Sequence, residues 1–127
     1  MTRVRFRTIG RWPVLCLDLT SLSDPDEAIR VVESAKQPPG RHAPRSILSL
    51  ADVTGSHFNA PVLRAIRSLL EHNRPYVHAG AVVGLSALQR AAYGTLMQVT
   101  GRRNLAAFAT IADAEAWLAT RTAERSE

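Results

Sequence analysis

The run AGAVVGL at residues 79–85 contains no polar side chain, and a strand can be apolar on both faces only where both faces are covered. A sheet with one wetted face shows alternation instead, so this run calls for a parallel sheet with crossover helices packed on it. Its neighbours supply the helices. APVLRAIRSLLEHN (60–73) sets Val62, Leu63, Ile66, Leu69 and Leu70 on one helical face and Arg64, Arg67 and Glu71 outward. ALQRAAYGTLMQVT (87–100) follows, with Ser86 placed to cap it and Gly101 to close it.

The remaining segments fit the same scheme. VRFRTIG (4–10) alternates, with Val4, Phe6 and Thr8 on one face and Arg5 and Arg7, with Arg3 before them, on an open one. A short turn joins it to PVLCLDL (13–19), which predicts a hairpin. SDPDEAIRVVESAK is a helix with its start spelled out: Ser23 or Asp24 as cap, Pro25 in the first turn, and Asp26 and Glu27 at the positive dipole end. Ala28, Ile29, Val32 and Ala35 form its apolar stripe. QPPGRHAPR breaks the chain into a loop. SILSLADV and NLAAFA read as further strands, and Thr110 with Asp113 resembles a capping box before IADAEAWLATRTAERS. The expected fold is α/β, in the order β-β-α-β-α-β-α-β-α, with a largely parallel five-stranded sheet and the first strand antiparallel at one end. One domain spans 1–127, its tail frayed from about residue 120.

Composition narrows the function. The 127 residues are 46% hydrophobic and 21% charged, a globular balance, and no apolar run approaches the roughly 20 residues of a membrane span. MTRVRFRTIGRW lacks a signal peptide's apolar core, so a cytoplasmic location is the expectation. The net charge of +5 comes from scattered arginines with no nucleic-acid motif beside them, so no nucleic-acid partner is expected. Cys16, the single cysteine, sits in an apolar strand and reads as a small core residue.

The richest local pattern is DVTGSHFN (52–59), where a strand ends before a helix. Asp52 and His57 form no acid–base constellation, because no third partner, nucleophile elbow or ligand set accompanies them. His42, His72 and His78 have no metal-ligand spacing. VVGLSAL is not G-x-S-x-G; Gly84 permits close packing and Ser86 is a cap. Asp52, Thr54 and Asn59 are preferred as turn and cap residues. The 87–100 helix is the anomaly. Leu85, Leu88, Ala92, Leu96 and Val99 form one apolar stripe for the core, while Tyr93 and Met97 form another i, i+4 pair rotated away from it.

Taken together, SLADVTG, AGAVVGLSALQRAAYGTLMQVTGRRNLAAFAT and IADAEAWL resemble the SpoIIAA-like, STAS-type domains of bacteria. The carrying features are Asp52 at a strand end, Ala81 to Gly84, Gly101-Arg102, Phe108 and Trp117-Leu118. They cover roughly residues 46 to 119; the N-terminal third matches in element order alone. The resemblance implies a small α/β domain and does not imply catalysis; an enzyme, a metal or a cofactor is not expected. Anti-sigma-factor antagonists of that group are phosphorylated at a helix start, which makes Ser56 and Thr54 candidate phosphoacceptors. More distant members imply apolar-ligand binding. The leading expectation is a surface for a protein partner or a second copy, formed by Tyr93 and Met97 and flanked by Arg90, Arg102 and Arg103. The alternative is a carrier or sensor of a small lipid-like ligand beneath the same helix.

Overall fold

The computed structural model describes residues 3–56, 59–100 and 104–122, excepting the side chains of Pro39, Arg41, Ala92 and residues 96–100. The expected element order is present: β1 Val4–Ile9, β2 Trp12–Asp18, α1 Pro25–Ser34, β3 Ile47–Asp52, α2 Ala60–Asn73, β4 Val77–Val83, α3 Ala87–Thr100, β5 Leu105–Phe108 and α4 Ile111–Thr122. The strands lie side by side in sequence order, β1 antiparallel to β2 and the rest parallel. Three crossovers step in one direction across the sheet, and the usual right-handed connection carries their helices to one face. α4, after the last strand, is free to return on the other.

Two cores result. Leu15, Leu17 and Leu19 of the β2 segment meet Ala28 and Val32 of α1 and Val62, Ala65 and Leu69 of α2 on one face. On the other, Val14, Leu48, Leu50, Ala79, Ala81 and Val83 pack against Ala114 and Leu118 of α4. The alternation of β4 is inverted once, at a register shift where Ile47 pairs with Val77 but Leu48 pairs with Ala79. His78, the extra residue, meets the carbonyl of Arg121 at 2.8 Å through Nε2 and lies 4.9 Å from the Trp12 ring. Val77 thereby keeps to the α1–α2 core although Ala79 faces α4.

The helix starts are built as their sequences specify. Asp24 accepts from the Asp26 N–H at 3.0 Å, Asn59 from Val62 at 3.0 Å and Thr110 from Asp113 at 3.1 Å. Buried Asn73, at the end of α2, donates to the Ala35 carbonyl at 3.0 Å, which satisfies the C-terminus of α1.

Two face assignments are corrected. The arginine side of β1 is open at Arg5 but not at Arg7, which is half-buried and pairs with Glu115 of α4, while Phe6, expected inward, is 38% exposed with its ring beside His42. β1 is the sheet edge, so the α4 that crosses the sheet decides which of its faces is covered. In α2 the fully packed side is Val62, Ala65 and Leu69, and Leu63 is 40% exposed.

Candidate functional site

The parallel strands end in a row of turns. Asp52 accepts the Thr54 N–H at 3.0 Å and the Thr54 hydroxyl at 2.6 Å. One strand away, Asp18 accepts the Thr20 N–H at 2.9 Å and its hydroxyl at 2.6 Å. Asp18 and Asp52 are register partners, so DLT and DVT are the same turn built twice. Both Asp-x-Thr triplets stand in the sequence, and the repetition is the signal that marks them as scaffold. Partial burial works to raise the Asp18 carboxyl, but the Thr20 hydroxyl and N–H, with Arg3 and Arg5 near, outweigh it and hold the group below the ordinary carboxylate range. The β2 and β3 turns are stitched together by Ser21 N–H to the Thr54 carbonyl at 2.9 Å. Gly84 closes the row with φ +88, and a side chain there would sit 2.8 Å from the Thr54 backbone. That is the close packing expected of it.

The other candidates fall into place around this row. Ser56 is buried, 6% exposed, and its hydroxyl donates to the Val53 carbonyl at 2.6 Å; Thr54 is exposed. His57 lies outside the described residues, as do Arg102 and Arg103. Among the described residues no group of histidine, cysteine and carboxylate side chains is arranged to hold a metal ion. Cys16 is half-buried against the α4 core, and burial pushes its thiol up against the opposing pull of Arg7 and Arg5.

A cavity of about 370 Å³ opens on the face opposite α4, between α2 and α3. Its origin lies in three small residues. Ser49 pairs with Gly80 and Ala51 with Val82 across β3 and β4, so the middle of the sheet is low on this side. A side chain at Gly80 would come within 2.7 Å of the Leu105 side chain and would also strike Ser49. Leu17, Leu19 and Val53 complete the floor, and Leu63, Ile66 and Leu70 of α2 form one wall. The opposite wall is α3, through Gln89 and Tyr93 behind Leu85.

The start of α3 is fixed by side-chain hydrogen bonds. Ser86 and Gln89 bond reciprocally, Ser86 N–H to Gln89 Oε1 at 2.8 Å and Gln89 N–H to Ser86 Oγ at 3.2 Å. The Gln89 side chain also donates to the Ser56 carbonyl at 3.1 Å, which links the helix to the β3–α2 loop. None of the described side chains of α3 is buried. The expected stripe is corrected here: Leu88 is 83% exposed, and Leu85, Gln89 and Tyr93 turn to the cavity. Leu88 and Tyr93 are five positions apart, so the helix that points Tyr93 inward carries Leu88 outward. Arg90 is exposed on α3, and the side chains of Ala92, Leu96, Met97 and Val99 are outside the description. No helix among the described residues is long and apolar enough to cross a membrane.

No protein-family model and no curated protein matches the sequence. Among solved structures, this chain is similar to an uncharacterized protein of the DUF3478 family from Shewanella loihica PV-4, described as having a SpoIIAA-like fold. The likeness has 19% identity and a TM-score of 0.58, and it covers 91% of each chain. The fold is therefore SpoIIAA-like, as the sequence resemblance implied.

Proposed function

Starting from a SpoIIAA-like fold with an open apolar cavity, we propose that this protein is a non-catalytic domain that carries or senses a small apolar ligand between α2 and α3. The observation that carries the proposal is the cavity itself. At about 370 Å³ it lies within the roughly 300–1,000 Å³ of small-molecule sites, and its walls are predominantly aliphatic with few polar groups. A void of this kind in a small domain forfeits dispersion contacts along its whole lining, a cost that an occupant removes. Tyr93 favours this reading over a protein-docking surface, because its ring lines the cavity and is half-buried. No constellation of described side chains supports a bond-breaking step, so the reading assigns none.

The test is native mass spectrometry of the purified protein beside its denatured mass, for wild type and Ala51→Leu. Ala51 sits on the cavity floor, half-buried, where added methyl groups have room. The expected result is a lipid-sized adduct that vanishes on denaturation and is lost in Ala51→Leu, whose stability falls by no more than about 3 kcal/mol. A discrete dimer without adduct would move the reading to the protein-partner surface. A covalent phosphate-sized increment located to Thr54 would move it to a phosphoregulated switch.

A further inference from the structure

The cavity is not apolar all the way to its rim. Arg64 and Arg67, one turn apart on α2, both line it, and both are exposed. Positions i and i+3 of a helix are surface neighbours, about 5–6 Å apart at Cβ, so the two guanidinium groups share one edge of the opening. Among the described residues neither forms an ion pair; the acid nearest in sequence on the same helix, Glu71, is engaged with Arg74. An arginine on such a rim lays its methylene stem along the apolar wall and keeps its charged fork in water. Across the opening, Gln89 and Tyr93 of α3 add neutral polar groups and no carboxylate.

We infer that the ligand is a single-chain amphiphile with an anionic carboxylate head, a medium-chain fatty acid, whose alkyl chain fills the cavity while Arg64 and Arg67 hold the head. The inference rests on the ligand-carrier reading above and adds the head-group chemistry to it. Two parts of the site favour this occupant. The volume accommodates one alkyl chain rather than the two of a membrane phospholipid, and a pair of forked cations matches a planar carboxylate in bidentate geometry. A neutral alcohol of the same length would satisfy the cavity and leave the arginines unused. A cationic amphiphile would bring like charge against them. Because the pair is exposed, its attraction is screened by salt, and head-group recognition weakens as ionic strength rises.

The experiment is titration calorimetry with three probes of equal chain length, decanoate, decanol and decyltrimethylammonium, against the full chain and against Arg64→Gln/Arg67→Gln. Wild type is expected to bind decanoate about tenfold more tightly than decanol, to reject the cation, and to lose the decanoate preference in high salt. The double variant is expected to bind decanoate and decanol alike, with decanol affinity unchanged. Both substitutions are on exposed positions, so the fold is retained, and unchanged decanol binding verifies it in the same experiment. Equal wild-type affinity for decanoate and decanol overturns the head-group assignment and leaves the cavity reading standing. So does a double variant that keeps the preference. Binding of none of the three probes overturns both.

Discussion

Gly84 shows how one residue fixes the geometry of this site. It follows β4 with φ +88, in the region that L side chains rarely adopt, and lies against the backbone of Thr54 in the neighbouring turn. Either condition alone disfavours a Cβ, and here the two coincide. Gly84→Ala is expected to destabilise the protein by more than about 1 kcal/mol, read as a lower midpoint in urea with the slope unchanged. A midpoint equal to wild type would mean that the β4–α3 turn relaxes freely and that Thr54 is not held by it. Gly80 is small for another reason. It leaves the sheet floor low beside Ser49 and Leu105, and the cavity exists because of such positions. The sequence displays both glycines plainly. Close packing was legible at Gly84, but nothing along the chain marks Gly80 as the floor of a void.

At the level of elements, α3 differs from the helices around it. α2 buries Val62, Ala65, Leu69 and Asn73, and α4 buries Ala114 and Leu118. Helices of this length are marginal in water on their own, and packing of one face supplies most of their stability. α3 has the cavity where that packing would be. It also carries Gly94 within its span, exposed and with open space around the position a Cβ would take. Hydrogen exchange is therefore expected to be faster along α3 than along α2. Gly94→Ala should slow it and add about 0.5–1 kcal/mol of helix stability without touching the cavity. Equal protection of α2 and α3 in the wild type would contradict a weakly held helix. If the ligand passes beneath α3, the same substitution also slows uptake in stopped flow, whereas equilibrium affinity changes little.

For the molecule as a whole, the cavity couples stability to occupancy. The sheet is clamped on one face by α4, through the Val14, Leu48 and Leu50 core and the Arg7–Glu115 pair; on the other, among the described residues, the buried core is made with α1 and α2, and the cavity lies beside it. A ligand that binds the folded state alone stabilises it by mass action, about 2.7 kcal/mol at a hundredfold its Kd. Decanoate is thus expected to raise the thermal midpoint of wild type in a concentration-dependent way. Ala51→Leu should show no such rise, because its side chain occupies the same space. A midpoint that climbs equally in both proteins would place binding outside the cavity.

The strand and helix order, the caps at Asn59, Ser86 and Thr110, and the parallel sheet were determined by the sequence alone; between Ser23 and Asp24 at the start of α1, the structure selects Asp24. Capping, periodicity and turn chemistry act between residues close in the chain, and so they are legible along it. The SpoIIAA-like fold was legible in another way, through resemblance to a known family at the Asp52 strand end and at Ala81 to Gly84, and the structural likeness bears it out. What only the tertiary structure decided are the facing choices: Arg7 inward, Leu88 outward, and the parity of β4 reversed at His78. These depend on which helix crosses which strand, and a residue's own neighbours in sequence carry no record of that. The cavity belongs with them. Ser49, Ala51 and Gly80 are ordinary small residues until the register sets them side by side under a helix that does not descend to meet them.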